Sequence, residues 1–208
     1  MTEDAGRKFP QLTTERLVLR ELTMDDVDWY KSHFSISEIV TGSGFAAPAD
    51  GDAAREEFER YILGPWNQGT GLRWGITLKK DSRVIGSAGF YKWENEPHRK
   101  AEMGYDLNPT HWGKGIMTEA LGAIISYGFD EMNLNRITIF VISENERSVK
   151  LARRLGFVKE GVIRESEFFD GRFIDDVMFS ILKSDWRRRV ADDIGHPTGP
   201  GCPNSRHD

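Results

Sequence analysis

Residues 112–120 read W-G-K-G-I-M-T-E-A, with two glycines on either side of a lysine just before a run of helical periodicity. That arrangement suits anion binding. Gly113 and Gly115 let the backbone turn tightly with N–H groups exposed, and a helix beginning near Ile116 adds the positive end of its dipole. The fitting guest is a phosphate, carried by a nucleotide or a coenzyme. Two nucleotide patterns fail on the letters. A G-x-x-x-x-G-K-[ST] loop needs Ser or Thr where Gly115 stands and a glycine where Asn108 stands. The G-x-G-x-x-G fingerprint needs a third glycine where Thr118 stands.

Such a loop needs a strand before it and a helix after it. Residues 101–107, A-E-M-G-Y-D-L, read as the strand, ended by Asn108-Pro109. Met117, Ala120, Leu121, Ile124, Ile125 and Phe129 make an apolar stripe wide enough to lie on a sheet, and the helix closes near Asn133. Residues 137–142 are a continuous apolar, β-branched run, as expected of a strand covered on both faces. Strand, helix, strand in that order implies a right-handed crossover and parallel pairing. Upstream, residues 17–21 alternate as a first strand, and Thr23 to Asp26 has capping-box spacing for a helix through about Phe34. Residues 35–50 are a loop candidate near the substrate entrance, and Asp52 can cap a helix through about Leu63 that Gly64-Pro65 stops. Residues 73–79 and 83–93 form a hairpin around Lys80-Asp81-Ser82. Downstream, a short helix from about Arg147 to Leu155 stops at Gly156, and residues 157–169 and 172–182 flank the hairpin signal Asp170-Gly171. The sum is an α/β (α+β) domain over residues 12–186, with a mixed sheet of about seven strands flanked by helices and one parallel pair. Residues 1–11 read as a flexible arm and residues 187–208, charged and then rich in glycine and proline, as a disordered tail.

With the strand containing E-M-G-Y before it, W-G-K-G-I-M-T-E-A resembles the acetyl-CoA loop of the GNAT acetyltransferases, in the RimJ/RimL-like branch that acetylates protein N-termini. A second stretch, N-E-R-S-V-K-L-A-R-R-L-G-F at residues 145–157, is similar to the GNAT element N-x-x-[AS]-x-x-L-Y-x-x-x-G-F, and the two occur in the family's order. The resemblance runs from about Leu12 to Trp186. It implies the GNAT fold, with the parallel strand pair around the acetyl-CoA site, and acetyl-CoA as cosubstrate. The binding residues it implies are Leu107, Trp112, Gly113, Lys114, Gly115, Ile116, Met117, Thr118, Asn145 and Ser148, with Asn145 on the pantetheine arm. Against the family pattern Q/R-x-x-G-x-G/A, Trp112 and Met117 hold the first and last places and Gly115 the central one.

Three residues are candidates for the chemistry. Glu102 points to the opposite side of its strand from Ala101 and Met103. Many GNAT enzymes have a glutamate here that accepts the amine proton, a task that calls for a pKa raised toward neutrality. The alternative is a structural carboxylate paired with Arg99 or Lys100. Where many members have a tyrosine that protonates the departing thiolate, this chain has Ala152. RimL-like enzymes place a serine at the position of Ser148, which is then implied to hydrogen-bond the thiolate or relay its proton, or else simply stabilises an early helical turn. Glu167 falls where RimL-like enzymes carry an acidic residue facing the substrate, as base or anchor, unless it is an ordinary exposed carboxylate. Asn145 has a helix cap as its alternative role. Phe45, Trp66, Trp74, Phe90 and Trp93 either line an acceptor groove or pack in the core.

The acceptor follows from proton affinity. At pH 7 an α-amine of pKa near 7.8 is roughly 14% neutral and a lysine near 10.4 about 0.04%, so freeing the nucleophile costs about 1 and about 4.6 kcal/mol. A protein or peptide N-terminus is therefore expected, with polyamines or aminoglycosides as alternative acceptors and a catalytically silent coenzyme sensor as a different class of reading.

Composition narrows the field further. At 208 residues the chain has room for one well-buried core. A net charge of −5 and a pI near 5.6 argue against a general nucleic-acid binder. No apolar run is long enough to span a membrane, and the acidic, polar start is unlike a secretory signal, so a cytoplasmic enzyme is expected. Cys202 is the single cysteine, the five histidines lack ligand spacing, and no metal is required. The branch resembles dimers, so a homodimer is among the expectations.

Overall fold

The computed structural model describes residues 8–44 and 46–195, the side chains of 193–195 apart. Eight strands form one sheet: β1 (Leu12–Thr13), β2 (Leu17–Arg20), β3 (Gly71–Leu78), β4 (Asp81–Glu94), β5 (Lys100–Leu107), β6 (Arg136–Ile142), β7 (Val158–Phe169) and β8 (Arg172–Leu182). Their order is β1-β2-β3-β4-β5-β6-β8-β7. Among the described residues seven α-helices accompany them: α1 (Val27–His33), α2 (Ser37–Ser43), α3 (Gly51–Phe58), α4 (Gly64–Asn67), α5 (Ile116–Asp130), α6 (Glu146–Arg154) and α7 (Lys183–Gly195).

Every neighbouring pair is antiparallel except β5 and β6, which the α5 crossover makes parallel as expected. That parallel ladder is short. It joins Lys100 to Arg136, Ala101 to Ile137 and Glu102 to Thr138, and then stops. Both strands continue, β5 paired with β4 as far as Leu107 and β6 paired with β8 as far as Ile142. The sheet is thus two half-sheets joined at one end, with an opening between β5 and β6 beyond Glu102.

The α5 stripe explains where the main core lies. Ala120, Leu121, Ile124, Ile125 and Phe129 are fully buried against Met103, Ile137, Ile139 and Phe179. Ala152 of α6 and Leu155 at its C-terminal cap join the same core. On the other face of β2–β4, a second cluster built from Leu22, Val27, Tyr30, Ala54, Phe58 and Val84 seats α1 and α3. The opening therefore has a face carrying α5 and α6 and an opposite face.

Several expectations are corrected. Residues 35–50 contain α2, whose seven residues leave only Ile39 buried and so give little periodic signal. The cap of α3 is Asp50, whose side chain accepts from the Ala53 N–H, with Asp52 in the first turn. Gly64-Pro65 does not stop the helical path. A π-helical turn over Glu59–Leu63 leads into α4, where Pro65 stands in the first turn and needs no N–H donor. The sheet has eight strands because Leu12–Thr13 adds to β2. Residues 8–11 are anchored rather than loose: Phe9 packs 5.1 Å from Trp66 and 5.9 Å from Trp74, and the Trp74 indole N–H donates to Pro10 O at 2.6 Å. At the other end α7 continues to Gly195, beyond the expected start of disorder at Arg187, with Trp186 buried against the main core. Residues 196–208, with Cys202, lie outside the described residues, as does Phe45. Trp74 and Phe90 are core residues, with no face toward a groove.

Replacing Ile124 by alanine is expected to lower unfolding free energy by about 2–5 kcal/mol, read as a shift of the urea midpoint at unchanged slope.

Candidate active site

The expected anion loop is built as a bare cradle. Gly113 and Gly115 have φ of +72° and +74°, left-handed values that β-carbon-bearing residues rarely adopt. Gly115 is the N-cap of α5 and provides no capping side chain, so the first N–H groups of the helix have no side-chain partner there. Ile116 and Met117 are buried in the core, so Met117 turns its bulk away from the cradle although it stands where the family pattern has a small residue. The loop is tethered from outside. Arg16 donates from Nε to Glu119 at 2.6 Å and from Nη1 to the Lys114 carbonyl at 2.9 Å, while Lys114 Nζ donates to Thr110 O at 2.7 Å. The Trp112 indole donates to Leu107 O at 2.7 Å, fixing the loop's start to the end of β5. These residues fit a diphosphate: two left-handed glycines and an uncapped helix start expose backbone donors, and Glu119, the acidic residue of the first turn, is held by Arg16 and Thr14.

Two contacts join this side to α6, and Asn145 ties the start of α6 to α2. Asn145 caps α6 by accepting from the Ser148 N–H at 3.1 Å, as its alternative role required, and its amide donates to Gly42 O at 3.2 Å. The Arg147 guanidinium stacks 3.6 Å from the Trp112 ring centroid. Ser148 Oγ lies 2.6 Å from the Tyr105 hydroxyl. Asn145, Ser148 and the glycine loop are thus brought together on the α5/α6 side of the opening.

Glu102 is on the opposite face, at the last rung of the β5–β6 ladder. Its partner is Lys92, whose Nζ is 3.2 Å away, whereas Arg99 pairs with Glu96 and Lys100 with Glu94, so neither alternative partner holds it. Tyr91 lies opposite Glu102 on β4. Its phenol is pushed up to about 12 by burial and by the negative charge of Glu102, against an opposing effect of Arg73, with Asp176 and Glu167 adding to the rise. Glu102, Glu167 and Asp176 therefore act on one place. Asp176 is buried and accepts from the Ser166 hydroxyl at 2.9 Å, while Glu167 is exposed on β7.

Beneath this surface lies a buried charged group that sequence reasoning missed. Asp106 on β5 is 2.7 Å from His33 Nε2 and 2.5 Å from Arg73 Nη2, and it accepts from the Ser87 N–H at 3.0 Å and hydroxyl at 2.6 Å. Arg73 reaches it across bare backbone: a Cβ at Gly104 would lie 3.5 Å from Arg73 Nη1 and 3.1 Å from Tyr91 Cε1. Burial alone would raise the Asp106 pKa, but the contact with His33, the Arg73 charge and the Ser87 hydroxyl outweigh it and hold the carboxyl at about 2.

A family model described as an acetyltransferase (GNAT) domain matches residues 16–158, and the chain belongs to the GNAT acetyltransferases. Within that family it is RimJ/RimL-like, an enzyme of acetyl-CoA-dependent N-acetyl transfer. It is 40% identical over 175 residues to the uncharacterized N-acetyltransferase p20 of Bacillus licheniformis, across 84% of this chain and 97% of that protein. It is 29% identical over 187 residues to the [ribosomal protein uS5]-alanine N-acetyltransferase of Escherichia coli, across 85% and 92%. The crystal structure of spermidine N-acetyltransferase from Vibrio cholerae in complex with CoA and spermine is similar at a TM-score of 0.74 and 25% identity, across 84% of this chain and 99% of that one.

The missed residues are Tyr91, Tyr105, Asp106, Arg147 and Asp176. Strand alternation alone puts Asp106 on the Glu102 side and Tyr105 on the other, and that was the available signal. The buried Asp106 has a direct test. Asparagine there leaves the Arg73 guanidinium without a counter-charge and His33 without its carboxylate partner, and is expected to cost about 3–5 kcal/mol at pH 7. Because the folded carboxyl is depressed from the ordinary 3.8 to about 2, its stabilisation is complete above pH 4 and lost as pH falls toward 2. The gap between wild type and Asp106→Asn in urea unfolding should therefore narrow by on the order of 2 kcal/mol between pH 4 and 2.

Proposed function

We propose that the enzyme transfers acetyl from acetyl-CoA directly to the α-amine of a protein or peptide, with Glu102 taking the amine proton and Ser148 meeting the departing thiolate. One observation carries this reading. Glu102 stands at the apex of the opening between β5 and β6, with the glycine cradle, Asn145 and Ser148 on the opposite side. The N–H groups of residues 113–118 receive the diphosphate, that of Trp112 being bonded to Pro109 O, and Asn145 offers its remaining amide hydrogen to the pantetheine limb. The amine arrives on the other face, where Glu102, Glu167 and Asp176 favour a cation before it gives up its proton. Glu167 is an anchor for that cation and Glu102, at the ladder's end, the base. The neutral amine then attacks the thioester carbonyl, and a β5 N–H beyond Glu102, free of the β6 ladder, stabilises the developing oxyanion. Collapse breaks the carbon–sulfur bond and releases the thiolate.

An α-amine needs only about 1 kcal/mol of help with deprotonation at pH 7, against about 4.6 for a lysine. A second reading, a small polycationic amine, is favoured by the three carboxylates around Tyr91 and by the likeness to a spermidine N-acetyltransferase.

Mass spectrometry of Ala- and Ser-starting peptides, spermidine and an aminoglycoside, each incubated with acetyl-CoA, is expected to give acetylated peptide as the main product. Acetylation of the small amines alone would replace the first reading with the second. On the peptide, Glu102→Gln should lower kcat/KM at pH 7 by about 10²–10⁴-fold. The deficit should shrink toward pH 9, where the amine is already neutral; a deficit that stays constant with pH would remove Glu102 from proton transfer.

A further inference from the structure

Tyr105 is the third residue of β5 beyond the last rung shared with β6, and its side chain alternates away from Glu102 onto the α5/α6 face. From there its hydroxyl reaches Ser148 Oγ at 2.6 Å. Asn145 accepts from the Ser148 backbone N–H, so the serine is fixed from two directions. Ala152, one turn further along α6 on the same helical face, is fully buried and has no hydroxyl to offer. The hydroxyl beside Ser148 comes instead from the facing strand.

We propose that Tyr105 is a positioning residue for thiolate departure: its phenolic O–H donates to Ser148 Oγ, so that the serine's own O–H is aimed at the leaving sulfur. This rests on the reading of Ser148 given above. A serine hydroxyl has one proton and two lone pairs. With a lone pair occupied by the phenol, the serine hydrogen is turned outward to the thiolate. The acyl carbon gains its bond to nitrogen and the carbon–sulfur electron pair goes to sulfur; nitrogen, having given its first proton to Glu102 before attack, loses its second to water as it becomes the amide, and the thiolate, hydrogen-bonded by Ser148, takes a proton from water in turn. Tyr105 keeps its own. Burial, opposed by the bond to Ser148, pushes the phenol up to about 12. Giving that proton to a thiolate with an ordinary value near 8.5 would be unfavourable by about three orders of magnitude.

The test compares wild type with Tyr105→Phe, Ser148→Ala and the double variant, measuring kcat for a peptide acceptor and coenzyme A affinity by calorimetry. Tyr105→Phe should lower kcat about tenfold or more while coenzyme A affinity stays within about threefold, which also reports an intact fold. The double variant should be no more than about twofold slower than Ser148→Ala, because the phenol acts only through the serine. Three results would overturn the inference: unchanged kcat in Tyr105→Phe, effects that multiply in the double variant, or a loss confined to coenzyme affinity. Normal kcat in Ser148→Ala would instead remove the thiolate role of Ser148 and with it the basis of the proposal. A slow Ser148→Ala beside a fast Tyr105→Phe would overturn the Tyr105 role alone.

Discussion

The parallel ladder between β5 and β6 lasts three residue pairs, and the rest of the site depends on where it stops. A full-length ladder would pair the facing backbone groups of both strands and seal the sheet. Here each strand is instead tied into its own half. Asp106 fixes the end of β5 to Ser87 on β4, to Arg73 on β3 and to His33 on α1. The end of β6 is held toward β8, since the Ser143 N–H donates to Asp175 O at 2.9 Å and Arg172 forks onto Glu144 at 2.6 and 2.7 Å. The buried carboxylate, although distant from any role in proton transfer, thus helps keep the passage open.

An opening through a sheet separates two kinds of chemistry by sides. The α5/α6 face offers backbone donors, an uncapped helix start, Asn145 and two hydroxyls, all suited to a coenzyme with an anionic handle and a polar limb. The other face gathers carboxylates around Tyr91, suited to a cation. In the proposed mechanism a thioester and an amine approach from opposite faces and meet where Glu102 ends the ladder. Direct transfer needs little more than such positioning, because holding two reactants together removes much of the entropic barrier.

Much of this was legible in the letters because it is local. The α5 stripe, the β-branched run of β6, the Asp170-Gly171 turn and the paired glycines each carry their meaning within about fifteen residues, and together they give the parallel crossover and the cradle, although β6 alternates, with Phe140 exposed, where its apolar run implies cover on both faces. Asn145 and Ser148 are singled out by resemblance to a family alone. What could not be read are contacts across the chain: Tyr105 with Ser148, Trp112 with Arg147, and Asp106 with His33 and Arg73, none of which leaves a periodic trace. Helix α2 was missed for a different reason, since its short length and single buried residue give no stripe. Pro65 misled because a proline in a first turn looks, in sequence, like one that ends a helix. The early stop of the β5–β6 ladder has no local signature either, because both strands keep strand-like sequence to their ends.

The central claim is that coenzyme and acceptor meet within the gap between β5 and β6. Backbone amide chemical shifts followed during titration with acetyl-CoA test it most directly. The account requires shifts in the loop at residues 112–118 and in both facing strand segments, residues 103–107 and 139–142. Shifts confined to the loop and α5, with both strand segments silent at saturation, would contradict it.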